Sequence, residues 1–270
     1  ANAETQASPA ALREHQRILA AYGGAYDDAK LEAQVGAEVD RLVAASERPD
    51  VPYKVTILNS SAVNAFALPT GQLYVTRGLL ALANDTSELA SVLSHEMAHV
   101  IARHAAIRED QAKLASVVKE TYTDQLNNPE MGAMALARSK IKLASFSRAQ
   151  ELEADGVGVG IAQRAGFDPY GAVRFLTAMG RNAELRQPAN NGVDTRFLDF
   201  LSSHPSTPDR LKIVRANARQ FTAPGDVPRD KDGYLASMDG LPYGEDPSEG
   251  YVRGRRFLHP RLAFTFTAPD

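Results

Sequence analysis

The sequence predicts an α+β fold that is mostly helical and carries a small β-sheet. Alternating, β-branched segments are grouped between residues 53 and 76, while apolar residues recur at helical spacing on both sides of this region. Strands that are grouped along the chain, rather than alternating with helices, are typical of α+β proteins and not of doubly wound sheets.

Two helices are predicted before the strands, over residues 10–22 and 27–46. The second has apolar side chains at helical spacing, namely Leu31, Val35, Val39, Leu42 and Val43. Pro49 and Pro52 end this helix, because proline lacks a backbone N–H and clashes with the preceding turn. We expect residues 1–52 to pack as N-terminal helices on the domain that follows.

The main domain is predicted to span residues 53–220 and to begin with strands over residues 53–58, 64–68 and 72–76. Residues 69–71 (Pro-Thr-Gly) form a turn, which makes the last two strands a hairpin. A long helix begins at Asp85, which forms a capping-box-like pair with Glu88. Three more helices are predicted, over residues 130–165, 169–182 and 208–219. Residues 221–270, rich in Pro, Gly and Asp, are predicted to be an extended tail that ends in a strand-like segment.

Composition excludes several classes of protein. The net charge of -3 and the pI of about 6.1 give no basis for nucleic-acid binding. The sequence has no window of about 18 apolar residues, so no transmembrane segment is predicted. It has no cysteine, so disulfides and thiolate sites are excluded and any metal must be held by histidines and carboxylates.

The pattern His-Glu-x-x-His occurs at His95, Glu96 and His99. Residues four apart on a helix differ by only about 40° around its axis, so both imidazoles project from one face and can share one tetrahedral zinc ion. Zinc lowers the pKa of a coordinated water to about 7, and Glu96 is placed to take the proton of such a water. The alternative, two surface histidines on a solvated helix face, conflicts with the apolar residues on all sides of this helix.

A catalytic zinc needs a third protein ligand, and residues 147–155 (Ser-Arg-Ala-Gln-Glu-Leu-Glu-Ala-Asp) offer carboxylates. Together with the His-Glu-x-x-His pattern and residues 64–71, 74–80 and 204–210, this segment resembles the CAAX prenyl protease, HtpX and BepA family of zinc metallopeptidases. The resemblance extends over about residues 53–215 and depends on separated motifs.

The resemblance implies a zincin-like fold of the gluzincin type and one zinc per chain, with Glu151 as the third ligand beside the two motif histidines. It also implies that Asp155, one helical turn beyond Glu151, orients an imidazole. Arg148 shares the Glu151 face and is predicted to pair with a carboxylate there. Glu153 points to the other side of the helix and is predicted to be a surface residue.

His204 matches a histidine of a His-Pro segment that approaches the zinc from a loop in BepA-like members of this family. It would either fill the fourth position on zinc or stabilise an oxyanion; the alternative is an ordinary loop histidine that caps the next helix. His104 lies about 180° from His95 on a continuous helix, so we expect it to be structural or exposed. His15 and His259 lie outside the motifs and are predicted to have no role at the site.

The resemblance also locates the substrate. Zincin-type peptidases bind an extended peptide along an exposed sheet edge, and the resemblance implies that Asn64, Ala65, Phe66 and Ala67 form this edge. The small side chains of Ala65 and Ala67 would let a peptide backbone approach, and Asn64 would hydrogen-bond to it. The alternative is an interior strand of the sheet.

Gly156, Gly158 and Gly160 look like a nucleotide-binding loop, but Ile161 stands where the third glycine of G-x-G-x-x-G belongs. These glycines also continue a helix instead of following a strand. They are predicted to let two helices pack closely.

The predicted function is zinc-dependent hydrolysis of peptide bonds by an endopeptidase. HtpX and the prenyl proteases carry membrane spans that this sequence lacks, so the resemblance favours a BepA-like, periplasmic or otherwise exported protein that acts on unfolded or misfolded envelope proteins. The first residues show neither a basic nor an apolar segment, which is typical of a chain whose signal peptide has been removed. The alternative function is a zinc-binding chaperone or assembly factor with latent peptidase activity. The sequence predicts no particular oligomeric state.

Overall fold

The computed structural model of the chain describes residues 8–121, 147–186, 200–205, 208–223, 225–244, 247 and 250–269. Within these residues, helices pack around a three-stranded sheet, and a second small sheet lies near the C-terminus. The first part of the helix predicted over residues 130–165 lies outside the described residues.

Two helices precede the main sheet, α1 (Pro9–Ala21) and α2 (Ala29–Ala45), as predicted. Ser8 caps α1 and Asp28 caps α2, each by accepting a hydrogen bond from a backbone N–H of the first turn. One face of α2 is buried in the main core through Leu31, Val35, Val39 and Leu42. The helical spacing of these apolar residues therefore marks the buried face.

The main sheet contains β1 (Lys54–Leu58), β2 (Ala65–Ala67) and β3 (Gln72–Thr76), in the order β1-β3-β2. β1 is parallel to β3, and β2 is antiparallel to β3, which confirms the predicted hairpin. The hairpin turn requires Gly71, which has a φ of +86° and whose β-carbon would lie 2.6 Å from the carbonyl oxygen of Pro52. Because β3 lies between β1 and β2, β2 forms an edge of this sheet within the described residues.

The helices after the main sheet are α3 (Arg77–Leu82), α4 (Thr86–Ile101), α5 (His104–Glu120), α6 (Arg148–Arg164), α7 (Gly171–Arg186), α8 (Phe200–Ser203) and α9 (Pro208–Arg219). The start of α6 is fixed by a capping box between Ser147 and Gln150. Within the described part of the chain, no helix combines the length and the apolar character needed to cross a bilayer.

α4 is the central helix. Asp85 caps it by accepting a hydrogen bond of 2.9 Å from the Glu88 amide. The predicted capping box is only half formed, because the Glu88 carboxylate accepts from the amide of Asn84 (3.0 Å) and not from that of Asp85. All residues of α4 from Ser87 to His99 are buried, so the helix runs through the core, which explains its apolar residues on all sides.

The C-terminal region differs from the predicted extended tail. It contains α10 (Lys231–Ser237) and a three-stranded antiparallel sheet of β4 (Tyr251–Arg253), β5 (Arg256–His259) and β6 (Phe264–Thr267). Tyr234 of α10 is fully buried in the main core and donates a hydrogen bond of 2.7 Å to the carbonyl of Leu80. The buried guanidinium of Arg77 donates to the carbonyls of Pro242 and Gly244. One aromatic side chain and one buried arginine thus attach a segment that its composition alone marked as irregular.

Candidate metal centre

α4 and α6 bring the predicted metal ligands together. One side-chain atom from each of His95, His99, Glu151 and His204 lies within 4.8 Å of the corresponding atoms of the other three. All four residues are at most 5% exposed to solvent. The structure therefore gathers the two motif histidines, the glutamate and the loop histidine into one buried cluster.

The donor atoms of this cluster converge on one point. His95 Nε2 lies 3.1 Å from His99 Nε2 and 3.6 Å from Glu151 Oε2. Glu151 Oε1 lies 3.4 Å from His99 Nε2. Ligands about 2.0–2.1 Å from a tetrahedral zinc are about 3.3 Å apart, so these spacings fit a single shared ion.

The protonation states of His99 and Glu151 also suit a metal ion. Burial alone would lower the pKa of His95, but the neighbouring Asp155 outweighs burial and raises it, so a metal ion at His95 must displace a proton. Burial lowers the pKa of His99 to about 3, so its imidazole is neutral at neutral pH. Burial alone would raise the pKa of Glu151, but its polar contacts with the His204 and His99 imidazoles outweigh burial and hold this pKa well below its usual range. Neutral imidazole and ionised carboxylate are the forms that bind zinc, so the residues present fit this ion.

Close packing between α4 and α6 positions the ligands. A β-carbon on Gly158 would come within 3.0 Å of the amide nitrogen of His95 and 3.1 Å of its Cα. Equivalent β-carbons on Gly156 and Gly160 would meet only side chains. The predicted close helix packing is therefore concentrated at Gly158, directly behind the first ligand.

The ring of His95 is held from behind by a carboxylate. Asp155 Oδ1 lies 3.0 Å from His95 Nδ1, the ring nitrogen that faces away from the cluster. Arg210 donates hydrogen bonds of 2.7 and 2.8 Å to Asp155, and its Nη1 lies 2.6 Å from Glu151 Oε2. Asp155 therefore lies where the resemblance places it, while the buried Arg210 was assigned no role in the sequence. Arg210 lies in residues 204–210, the same motif as His204, and this position is the sequence signal that could have identified it.

His104 lies elsewhere than the sequence predicts. Its expected position on the far side of the helix assumes that the helix continues, but α4 ends at Ile101 and Arg103 adopts a left-handed φ of 56°. The new direction of α5 buries His104 and brings its Nδ1 to 2.8 Å from His99 Nδ1. Its Nε2 lies 3.3 Å from Glu153 Oε2, so the largely exposed Glu153 also contacts this arrangement.

His204 enters the cluster from the end of α8. Its Nδ1 lies 3.0 Å from Glu151 Oε1 and 3.3 Å from His95 Nε2. Its ring stacks on Phe200 with centroids 4.4 Å apart, and its amide donates to the Phe200 carbonyl (2.8 Å). The Arg210 Nη1 donates to the His204 carbonyl (3.3 Å), which connects this segment to α9. His204 is thus not an ordinary loop histidine, because its ring lies among the candidate ligands.

Glu96 lies beside the cluster and not within it. It is 3% exposed, and its Oε1 lies 3.5 Å from His204 Nε2 without a hydrogen-bond partner among the described residues. Burial raises the pKa of Glu96, which increases its tendency to take up a proton. A buried carboxylate oxygen with this orientation can accept a proton from a group bound next to the ligands.

A model of peptidase family M48 matches residues 29–218 of the sequence. The chain belongs to peptidase family M48. The beta-barrel assembly-enhancing protease of Escherichia coli K12 is 31% identical over 208 residues, which are 73% of this chain and 40% of the relative. That of Yersinia pestis is 31% identical over 218 residues, 77% of this chain and 43% of the relative. The mitochondrial metalloendopeptidase OMA1 of Schizosaccharomyces pombe is 30% identical over 180 residues, 67% of this chain and 51% of the relative. The motif resemblance is confirmed, and the chain spans about half the length, or less, of these relatives.

In this M48 chain, Arg148 lies away from the metal centre. Its guanidinium pairs with Asp209 (2.5 Å), and the two side chains are 66% and 57% exposed. The structure differs here from the prediction, because Arg148 is the first residue of α6 and extends towards α9. The adjacent residue of α9, Arg210, contacts Glu151 instead.

The β2 edge of the M48 fold lies beside Glu96. The Asn64 carbonyl and the Leu68 amide hydrogen-bond to β3. The alternation of an antiparallel ladder therefore turns the peptide groups of Ala65 and Ala67 away from β3. The backbone amide of Ala67 donates a hydrogen bond to the Glu96 carboxylate, so this edge and the candidate base are in contact.

Two of the predicted substrate-binding side chains contact other parts of the protein. Asn64 is 4% exposed, and its Nδ2 donates to the Tyr22 hydroxyl at 3.0 Å. The Phe66 ring stacks on Tyr74 with centroids 5.0 Å apart. The side chains of Asn64 and Phe66 therefore support the sheet and α1. Ala65 is only 1% exposed, so the partly exposed backbone of this strand lies at Phe66 and Ala67.

Proposed function

We propose that this chain is a zinc-dependent endopeptidase that binds one zinc ion through His95, His99 and Glu151. The observation that supports this function most strongly is the convergence of two imidazole nitrogens and an ionised carboxylate at ligand spacing, beside a buried carboxylate that is not itself a ligand. Three protein ligands with a separate general base are the donor set of catalytic zinc sites.

Glu96 is the general base of the proposed reaction. Zinc, when bound, would act as a Lewis acid on the scissile carbonyl and lower the pKa of water. Glu96 Oε1 takes the proton from the attacking water and returns it to the leaving amine, a transfer that its raised pKa favours. Asp155 and Arg210 keep His95 in the orientation that directs Nε2 towards the cluster.

The substrate in this proposal is an extended polypeptide that pairs with β2. The Ala67 carbonyl, at the partly exposed end of this edge, supplies main-chain pairing as in other cases of strand addition, because Ala65 is buried and the Ala67 amide already donates to Glu96. Contact between Ala67 and Glu96 would place the scissile bond of such a peptide next to the base. Side-chain preferences do not follow from this backbone pairing.

His204 makes the proposed enzyme latent in the arrangement seen here. Its Nδ1 occupies the side of the cluster where a fourth ligand would lie. A zinc ion with four protein ligands has the closed coordination of a structural site and leaves no position for water. Displacement of the His204 segment would open this position, and the same imidazole could then stabilise the oxyanion of the tetrahedral intermediate.

The proposed biological role is quality control of the bacterial envelope by an exported, periplasmic protein. Similarity to beta-barrel assembly-enhancing proteases supports this role, with unfolded or misfolded envelope proteins as the substrates. The closed cluster also favours a second candidate, a zinc-binding chaperone or assembly factor whose peptidase is normally silent. Both candidates use the same metal ligands and differ in whether peptide bonds are cleaved.

Hydrolysis of casein or of a quenched peptide, measured before and after chelation and after zinc is restored, tests the proposed function. We expect low activity in wild type and higher activity in His204→Ala. In both, activity should be lost with chelator, recovered with zinc and absent once Glu96→Gln is introduced. Glu47→Gln, which changes a surface carboxylate paired with Arg164, is the matched control. If neither wild type nor His204→Ala cleaves any peptide, while both wild type and Glu96→Gln suppress aggregation of an unfolded protein, the chaperone function replaces the peptidase.

A further inference from the structure

The two nitrogens of His99 have different surroundings. Nε2 faces the metal centre, 3.1 Å from His95 Nε2 and 3.4 Å from Glu151 Oε1. Nδ1 faces away and lies 2.8 Å from His104 Nδ1. A ligand nitrogen must be free of its proton, so His99 carries its proton on Nδ1 and donates it to His104.

This assignment fixes His104 as well. Since His104 Nδ1 accepts a hydrogen bond, the proton of a neutral His104 lies on Nε2. Nε2 lies 3.3 Å from Glu153 Oε2, which accepts that proton. The tautomers of both rings are therefore determined by an exposed carboxylate at one end and by the ligand position at the other.

The backbone is arranged to make this contact. Arg103 adopts a left-handed conformation, which is strained for a residue with a β-carbon. This conformation lets α5 begin with His104 directly behind His99, where His104 is only 1% exposed. A continuous helix would have left His104 on the opposite face.

We propose that His104, held by Glu153, is a positioning residue that fixes His99 in the tautomer and orientation required for metal binding. The inference depends on the proposed zinc site, but not on peptidase activity. His104 acts on His99 as Asp155 acts on His95, with a neutral acceptor in place of a charged one. Both carboxylates, Glu153 and Asp155, come from the helix that carries Glu151.

Zinc affinity, measured by competition with a chelating dye, tests the proposal in four variants. His104→Leu removes the acceptor, whereas His104→Asn places an amide oxygen near the position of Nδ1. We expect His104→Leu to lose about 10–100-fold in affinity, as is typical for residues behind metal ligands, and His104→Asn to recover most of that loss. Glu153→Ala should weaken zinc binding less than His104→Leu, and His15→Leu, a histidine that hydrogen-bonds to Tyr74 outside the cluster, should leave it unchanged.

Several outcomes would overturn the inference. Wild-type affinity in a folded His104→Leu variant would show that His99 needs no partner. Equal losses in His104→Leu and His104→Asn, matched by equal losses in the stability of the metal-free protein, would assign His104 to packing alone. If His104→Leu does not fold, the other two variants still test the proposal. Unchanged zinc affinity in Glu153→Ala together with reduced zinc affinity in His104→Asn would contradict it. A protein that binds zinc but cleaves no peptide, even as the His204→Ala variant, would contradict the proposed function and leave this inference intact.

Discussion

Gly158 on α6 lies against the backbone of His95 on α4, so that a β-carbon at Gly158 would come within 3.0 Å of the His95 amide nitrogen. This nitrogen and the His95 Cα, which would lie 3.1 Å away, belong to the main chain of a buried helix, and a main chain cannot move aside as a flexible side chain can. Any side chain at Gly158 must therefore separate the helix that carries Glu151 from the helix that carries His95 and His99.

Gly158→Ala should destabilise the metal-free protein by about 1–3 kcal/mol, the usual cost of overpacking a core, and should weaken zinc binding. Gly156→Ala on the same helix is the matched control, because its β-carbon would meet only Asn217 Nδ2 at 3.6 Å. It should be neutral or stabilise the helix by up to about 1 kcal/mol. Urea unfolding of both variants distinguishes the two effects, and equal stabilities would show that the helices separate without cost.

Glu96→Gln should abolish peptide hydrolysis while zinc occupancy and thermal stability stay close to wild type. The amide fills the same volume, but it cannot accept the proton of an attacking water. Zinc content by elemental analysis and hydrolysis of a quenched peptide check the two halves of this expectation. Retention of more than a small fraction of wild-type hydrolysis would require a different base.

Glu151→Gln should lower zinc occupancy sharply, because the variant exchanges an ionised ligand for a neutral amide that binds zinc poorly. Glu47→Gln, which changes a surface carboxylate paired with Arg164, keeps all four cluster residues and is the comparison. Elemental analysis after dialysis against a weak chelator measures the difference. Undiminished zinc in Glu151→Gln would remove Glu151 from the ligand set.

His204→Ala should raise basal peptidase activity, because it removes the side chain that fills the fourth position of the proposed zinc site. The opposite sign, a fall of about 10²-fold in turnover, would assign His204 to oxyanion stabilisation in an enzyme that is already open. Steady-state kinetics on one peptide substrate separate the two roles. Unchanged kinetics would contradict both.

Glu38 on α2 should make stability depend on pH. It is 5% exposed, and burial raises its pKa from 4.5 to about 8. Below pH 4.5 the carboxyl is protonated in both the folded and the unfolded chain, whereas between about 4.5 and about 8 only the unfolded chain releases the proton. The stability contributed by the protonated group is therefore lost as pH rises through this window.

Glu38→Gln should remove this component, so that its free energy of unfolding falls less between pH 5 and about 8 than that of wild type. Urea unfolding at a series of pH values measures the slope, with Glu47→Gln as a surface control. Parallel pH profiles for wild type and Glu38→Gln would show that this carboxyl keeps an ordinary pKa in the folded protein.

Much of the fold could be predicted because local signals and tertiary packing agree. The strand pattern and the turn at Gly71 give the observed hairpin, and Asp85 and Ser147 cap the two helices that carry the ligands. His95 and His99 could be proposed as ligands because residues four apart share one face of a helix, whereas Glu151 could be proposed only from the motif resemblance. In these segments the residue pattern and the final contacts obey the same periodicity.

The remaining features depend on contacts that periodicity does not encode. A single left-handed residue, Arg103, redirects the chain and moves His104 from the far face to a position behind His99. Arg210 reaches Asp155 only because α9 packs on α6. In the C-terminal region, the buried side chain of Tyr234 attaches an otherwise largely exposed short helix, whose flanking composition is typical of an irregular segment, to the core. Each depends on one backbone angle or on one long-range contact.

Anomalous diffraction at the zinc edge, from crystals of the zinc-loaded protein, tests the central claim most directly. The account predicts one strong peak per chain, about 2.0–2.2 Å from His95 Nε2, His99 Nε2 and a Glu151 carboxylate oxygen, with His204 as the fourth neighbour. A peak coordinated by other residues, or no peak between α4 and α6 in crystals that contain stoichiometric zinc, would contradict it.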